Sequence, residues 1–148
     1  NAEVVSELWQ QFPSDTSLAK SYTEFRATYD DNFIYFSAIA KDLQKGGYVI
    51  SSLRRDFRGP GLDGVSVILD PFQDLTNGFF FGVSPAGVQR EGLISNGYMR
   101  NDDMDLSWDN KWYSETRIED GYWTAEFAIP FKTLRFKAGS KRWNVKLY

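Results

Sequence analysis

DLSWDNKWYSETRIEDGYWTAEFAIPFKTLRF, residues Asp105 to Phe136, is the stretch that decides the fold. It reads as two strands about a Glu119-Asp120-Gly121 turn. After the turn, Trp123, Ala125, Phe127 and Ile129 alternate with Tyr122, Thr124, Glu126 and Ala128. Period-two alternation gives one apolar face and one mixed face, so this strand belongs to a sheet packed on a core. Pro130 has no N–H to donate and stops the ladder. Ahead of the turn, Trp108 and Trp112 stand among Asp105, Asp109 and Asn110. Indoles beside carboxylates and amides suit a sugar-binding surface, and they equally suit the edge of a well-filled sandwich.

Working outward, the same pattern recurs. Thr23–Tyr29 and Phe33–Ala40 flank Asp30-Asp31-Asn32, a hairpin signal. Val65–Leu69 is a β-branched run between Asp63 and Asp70. Asn77-Gly78 turns into Phe79–Val83, and Ser84-Pro85-Ala86-Gly87 turns into Val88–Ser95. Trp112–Ile118, Tyr122–Ile129 and Trp143–Tyr148 complete the set. This spacing predicts an all-β fold, an antiparallel β-sandwich with little helix, burying Phe25, Tyr29, Val65, Val67, Phe81, Trp123, Phe127 and Ile129. Lys45–Pro60 reads as a loop with a short helical turn, and Gly97–Asn110 as a polar, mobile loop.

The chain has 148 residues, enough for one domain with a sizeable core, and 17% aromatics favour β structure. A net charge of -3 argues against nucleic acid and anionic membranes as partners. The basic residues Lys132, Arg135, Lys137, Lys141 and Arg142 read as a solvated cluster. There is no Cys and no His, which removes thiol nucleophiles, histidine-based triads, disulfides and ordinary zinc sites. With no His, Met99 and Met104 are poor axial ligands for haem. No apolar run reaches the ~20 residues of a membrane span.

The phrases WQQFPSDTSLA, TEFRATYDDNFIYFSAIAKD, RRDFRGPGLDGVSVILDPF, NGFFFGVSPAGVQRE, SWDNKW and GYWTAEFAIPFKTLRF resemble, in that order, the family 9 carbohydrate-binding-module-like domain. The resemblance covers nearly the whole chain. It is greatest to the branch at the front of exported bacterial proteins of unknown function with a predicted outer-membrane-type barrel. It implies a non-catalytic β-sandwich, sugar binding, sometimes structural calcium, and a location in the periplasm, outer membrane or cell surface. It also implies that residues 1–148 are one domain cut from a longer protein, without the family's opening strand.

The family's sugar clamp does not carry over. Where sugar-binding members have a Trp, a Glu and an Arg, this chain has Pro60, Ser66 and Gly82. The sugar site expected instead is Trp108 and Trp112, stacking on a pyranose, with Asp109 and Asn110 bonding its hydroxyls. The plainer reading makes both indoles structural. Arg55-Asp56 reads as an ion pair holding a loop, with ligand binding as the alternative. Glu126 reads as structural, paired with Arg135 or Arg117. Asn101, Asp102, Asp103, Asp105 and Asp109 offer oxygens for calcium, with Asp102, Asp103 and Asp105 as the metal ligands. The loop lacks EF-hand spacing, so a solvated acidic loop is the plainer reading. Beyond calcium no cofactor is expected. Asp63 and Asp70 lie seven residues apart along a strand, about 23 Å, too wide for a glycosidase pair. The chain is therefore read as no enzyme, with a glycan or a cell-envelope protein as partner. The competing reading is a structural or interaction domain, attached to a barrel, whose sugar site is lost.

Overall fold

The computed structural model describes residues 4–10, 17–19, 21–41, 47–50, 52–56, 63–98 and 103–148. Among the described residues ten strands run in chain order: β1 (Val4–Val5), β2 (Thr23–Tyr29), β3 (Phe33–Lys41), β4 (Val65–Asp70), β5 (Gly78–Val83), β6 (Gln89–Ile94), β7 (Met104–Asp105), β8 (Tyr113–Glu119), β9 (Tyr122–Pro130) and β10 (Asn144–Leu147). They form two antiparallel sheets, ordered β1-β2-β3-β9-β8 and β10-β4-β5-β6-β7. Two single 3₁₀ turns, Asn96–Tyr98 and Phe131–Thr133, lie wholly within the described residues, and Asp103 is also in 3₁₀ conformation.

The alternation in β9 is what joins the sheets. Trp123, Ala125, Phe127 and Ile129 are all buried. They meet Phe25, Phe36, Val65, Val67, Leu69, Phe79 and Phe81 in one core between the layers. A core of this size is the main favourable contribution to folding, at roughly 1.5–3 kcal/mol per large apolar side chain. The β8–β9 hairpin closes through Asp120-Gly121, where Gly121 takes φ 79°, a conformation an L side chain resists. Pro130 is the last residue of β9, as its missing donor requires.

β5 breaks the alternation, because all six of its residues are buried. Phe79 and Phe81 face the core, while Phe80 joins Ile68, Ile94 and Met104 in a second buried cluster. That cluster lies on the outer face of the second sheet.

Two expectations are corrected. Tyr29 shares the inward phase of Phe25 but is 78% exposed. It is the last residue of β2, against the hairpin turn. The stretch 97–110, expected as a loop, contributes strand β7, paired through Leu93–Asp105 and Ile94–Met104. A short first strand, Val4–Val5, also pairs with Phe25 and Arg26. Residues 47–50 and 52–56 carry no helix.

Candidate functional site

Trp112 is 4% exposed, stacked on Phe127 at 5.5 Å between ring centres and edge-on to Phe81 at 5.3 Å. Trp108 is half-buried and leans on Phe79 and Phe81 at 5.2 and 6.0 Å. The expected exposed pair of indoles is thus corrected: Trp112 belongs to the core, and its ring offers no free face. The reason is local. Trp112 immediately precedes β8, and its indole turns in between the sheets.

The polar residues around it form one network centred on Glu91, which no sequence motif singled out. Glu91 faces inward from β6, opposite Phe81, and is 1% exposed. Its carboxylate accepts bonds from Trp112 Nε1 at 3.2 Å, from Arg55 Nε at 3.0 Å and from the Asn110 backbone N–H at 3.4 Å. The Arg55 Nη2 donates to the same carboxylate and to the Asn110 carbonyl, the latter at 3.1 Å. Its Nη1 donates to Gln89 Oε1 at 3.1 Å. The hydrogen bond to Glu91 raises the Arg55 pKa above its ordinary value. A buried charge is tolerated when it is paired and bonded in this way.

Arg55 therefore pairs with Glu91 rather than with its neighbour Asp56, which corrects the expected pair. Asp56 instead accepts the Glu91 backbone N–H at 3.2 Å through Oδ1. Asp109 is exposed and lies 3.7 Å from Arg55. Asn110 donates through Nδ2 to Thr133 Oγ1 at 3.1 Å. Asp109, Asn110, Arg55, Asp56 and Trp112 thus come together, as a brace between β6 and the segment leading into β8. A signal for Glu91 did exist in the sequence. It shares the strand phase of Leu93, so an inward carboxylate needed a cation nearby.

Of the carboxylates expected to hold calcium, Asp102 lies outside the described residues. Asp103 is buried, with Oδ1 accepting from Asn96 Nδ2 at 3.1 Å. Asp105 accepts from the Ser107 hydroxyl at 2.6 Å and its N–H at 2.9 Å, which holds its pKa below the usual carboxylate range. These two side chains serve separate turns, and among the described residues no three ligand-type side chains converge. Asp63 and Asp70 are also engaged locally. Asp63 Oδ2 accepts the Val49 N–H at 2.6 Å, and buried Asp70 accepts the N–H groups of Phe72, Gln73 and Leu75 at 2.7–3.0 Å.

At the position of the family's clamp, Ser66 and Gly82 are direct partners across β4 and β5. Pro60 lies outside the described residues. A Cβ on Gly82 would stand 3.0 Å from Phe80 Cε1 and 3.1 Å from its Cζ. The Phe80 ring therefore occupies the space a longer side chain at 82 would need. Arg90, opposite Gly82 on β6, carries its guanidinium over that ring, 5.4 Å from the centroid. This face is filled by its own side chains.

The outer face of the first sheet is different. Thr28, Tyr35, Ala128 and Tyr113 stand opposite one another across β2, β3, β9 and β8. Arg26, Ser37, Glu126 and Glu115 form the next row. Both rows line an open hollow of about 480 Å³. Phe33 bridges the aromatic side, 5.8 Å from Tyr35 and 6.3 Å from Tyr113. Tyr35 donates its hydroxyl to Asp30 Oδ2 at 2.8 Å, which raises the tyrosine pKa. Arg26 is engaged by Glu24 at 2.7 and 2.9 Å. Glu126 does not take the expected arginine partner: Arg117 lies 3.9 Å from Glu119, and Glu126 faces Glu115.

Comparison with known proteins defines the class of fold. The chain superposes on a family 9 carbohydrate-binding module from Caldicellulosiruptor kristjanssonii in complex with glucose, with TM-score 0.61 and 14% identity, over 99% of this chain and 65% of that one. A family 9 module from the same organism in complex with cellotriose gives 0.54 and 14%, over 97% and 71%. A Bacteroides uniformis structure described as a "putative carbohydrate-binding protein" gives 0.67 and 12%, over 99% and 70%. The chain thus spans just under two thirds of the length of the glucose-bound module. No family model and no curated protein sequence matches it. At these identities the likeness shows the fold, an all-β sandwich of the family 9 module type.

Proposed function

We propose that this chain is a non-catalytic, glycan-binding domain of an exported bacterial protein, carried in the cell envelope, with an outer-membrane barrel as its parent. The observation that carries the glycan-binding reading is the fold, whose structural neighbours include modules in complex with glucose and cellotriose. An array of purified glycans, followed by tryptophan fluorescence titration of the hits, tests it. We expect an affinity between about millimolar and high micromolar, roughly 4 to 6 kcal/mol. No response to any glycan at millimolar concentration would overturn it. Fractionation of the source bacterium with an antibody to the domain tests the envelope location.

The second reading, an interaction domain with its sugar site lost, draws support from two observations. The Phe80 ring fills the clamp face over Gly82, and Trp112 is committed to the core. A glycan-negative array would favour it.

A further inference from the structure

We infer that the hollow over Ala128, on the outer face of the first sheet, binds uncharged oligosaccharides. This rests on the glycan-binding reading and assigns it a surface, with the class of sugar that surface accepts. Four strands place an aromatic row beside a polar row. Tyr35 and Tyr113 stand two strands apart, about 10 Å. The small Ala128 side chain between them opens the hollow. Phe33 stacks on Tyr35 and stands tilted beside Tyr113, so the three rings form one aromatic cluster. Sugars present flat C–H faces, which pack on exposed aromatic surface.

The platform is set before any ligand arrives. Asp30 fixes the Tyr35 hydroxyl, and Asp30 is itself held by the N–H groups of Asn32 and Phe33 at 2.7 and 2.8 Å. Tyr113 is 51% exposed, so its ring is available. Preorganised rings lose little freedom on binding, which matters where contacts are few.

The polar row sets the ligand's charge. Glu115 and Glu126 are direct cross-strand partners, and like charges placed opposite each other are unfavourable. Ionised carboxylates only accept hydrogen bonds, so hydroxyl donors satisfy them, in the stronger charge-assisted class. Arg26 is already bonded by Glu24 through two nitrogens. The surface therefore suits donor-rich, uncharged sugars and opposes uronates, sulfates and phosphates.

The test is calorimetric titration of cellohexaose, xylohexaose, mannohexaose, laminarihexaose and hexagalacturonate into wild type, Tyr113→Ala and Glu126→Gln. Both substitutions are at exposed positions, and unchanged melting curves would confirm that the variants fold. We expect at least one neutral hexasaccharide to bind, hexagalacturonate not to bind, and each variant to weaken the neutral sugar about tenfold. Neutral binding that survives both substitutions undiminished places the site elsewhere and leaves the glycan-binding function standing. Tighter binding of hexagalacturonate than of any neutral sugar overturns the charge argument. Failure of wild type to bind any of the five overturns this site, and the function falls with it only where the glycan array is negative throughout.

Discussion

Glu91 shows how one side chain can tie function-like residues into structure. Its carboxylate is buried between the sheets, and the Trp112 indole and the Arg55 guanidinium are its principal donors. Removing a donor strands a charge in a low-dielectric place, which costs more than the bond itself is worth. Arg55→Ala should therefore destabilise the domain by about 2–3 kcal/mol, below the full buried-pair value because the Arg55 side chain is 44% exposed. Trp112→Ala should cost about 3–5 kcal/mol through its cavity, and Trp112→Phe about 1–2 kcal/mol, since the ring stays while the Nε1 donor goes. Urea unfolding of the three variants checks the order. An Arg55→Ala midpoint equal to wild type would mean that Glu91 does not depend on the arginine. At this scale the sequence was only partly legible. Arg55, Asp109, Asn110 and Trp112 stood out by residue type, but a side chain's direction is set by tertiary packing. An indole amid polar residues reads the same whether its ring turns in or out.

Strands and turns were far more legible, because their signals are local. The boundaries of β2, β4, β5 and β9 fall within a residue of those read from alternation and turn residues. The two short strands, β1 and β7, have two residues each, too few to show a period. The turns also carry a pH dependence. Asp74 accepts the Asn77 N–H at 2.7 Å, the Asn77 Nδ2 at 2.7 Å and the Thr76 N–H at 2.8 Å, and these bonds hold its pKa well below the ordinary value. Asp30 is lowered by the Asn32 N–H, then by the Tyr35 hydroxyl and the Phe33 N–H. A carboxylate depressed in the folded state binds fewer protons there than in the unfolded chain. Its stabilisation is complete above the unfolded value of about 4 and is lost as pH falls through the folded value. The melting midpoint should thus drop below about pH 4. Asp74→Ala should lower it at pH 7 and make the acid limb shallower. An acid limb identical to wild type would show that this turn does not contribute. β5 supplies a packing test on the same scale. Gly82→Ala brings a Cβ within 3.0 Å of the Phe80 ring, and such overpacking should cost about 1–3 kcal/mol. Phe80→Leu should make the alanine nearly free, a coupling that a double-mutant cycle reads directly.

For the whole molecule, eight strand-length runs separated by turn residues sufficed for a sandwich, because a strand's apolar face must be buried and a second sheet can cover it. The pairing order, and which outer face stays open, were not legible: they depend on contacts distant in sequence, such as Phe80 clustered with Met104 or Tyr35 beside Ala128. The result is an asymmetric sandwich. One outer face is filled by Ile68, Phe80, Ile94 and Met104, and the other holds an open aromatic and carboxylate hollow. This bears on whether a cation holds the fold together. The inter-sheet core joins the layers, and the Glu91 carboxylate within it accepts from the Trp112, Arg55 and Asn110 donors. Asp103 and Asp105 accept hydrogen bonds from Asn96 and Ser107. A site that gathered carboxylates around calcium would have to break those bonds and overcome mutual repulsion. Chelation should therefore move the thermal midpoint by less than about 2 °C, corresponding to under about 1 kcal/mol for a chain of this length. Differential scanning calorimetry with and without a chelator, at fixed ionic strength, is the measurement. A fall of about 10 °C would mean that binding of a metal to the folded state supplies several kcal/mol. Asp102, Asp103 and Asp105 would then be ligands of a structural calcium ion, and Asp103→Asn should reproduce the loss without chelator.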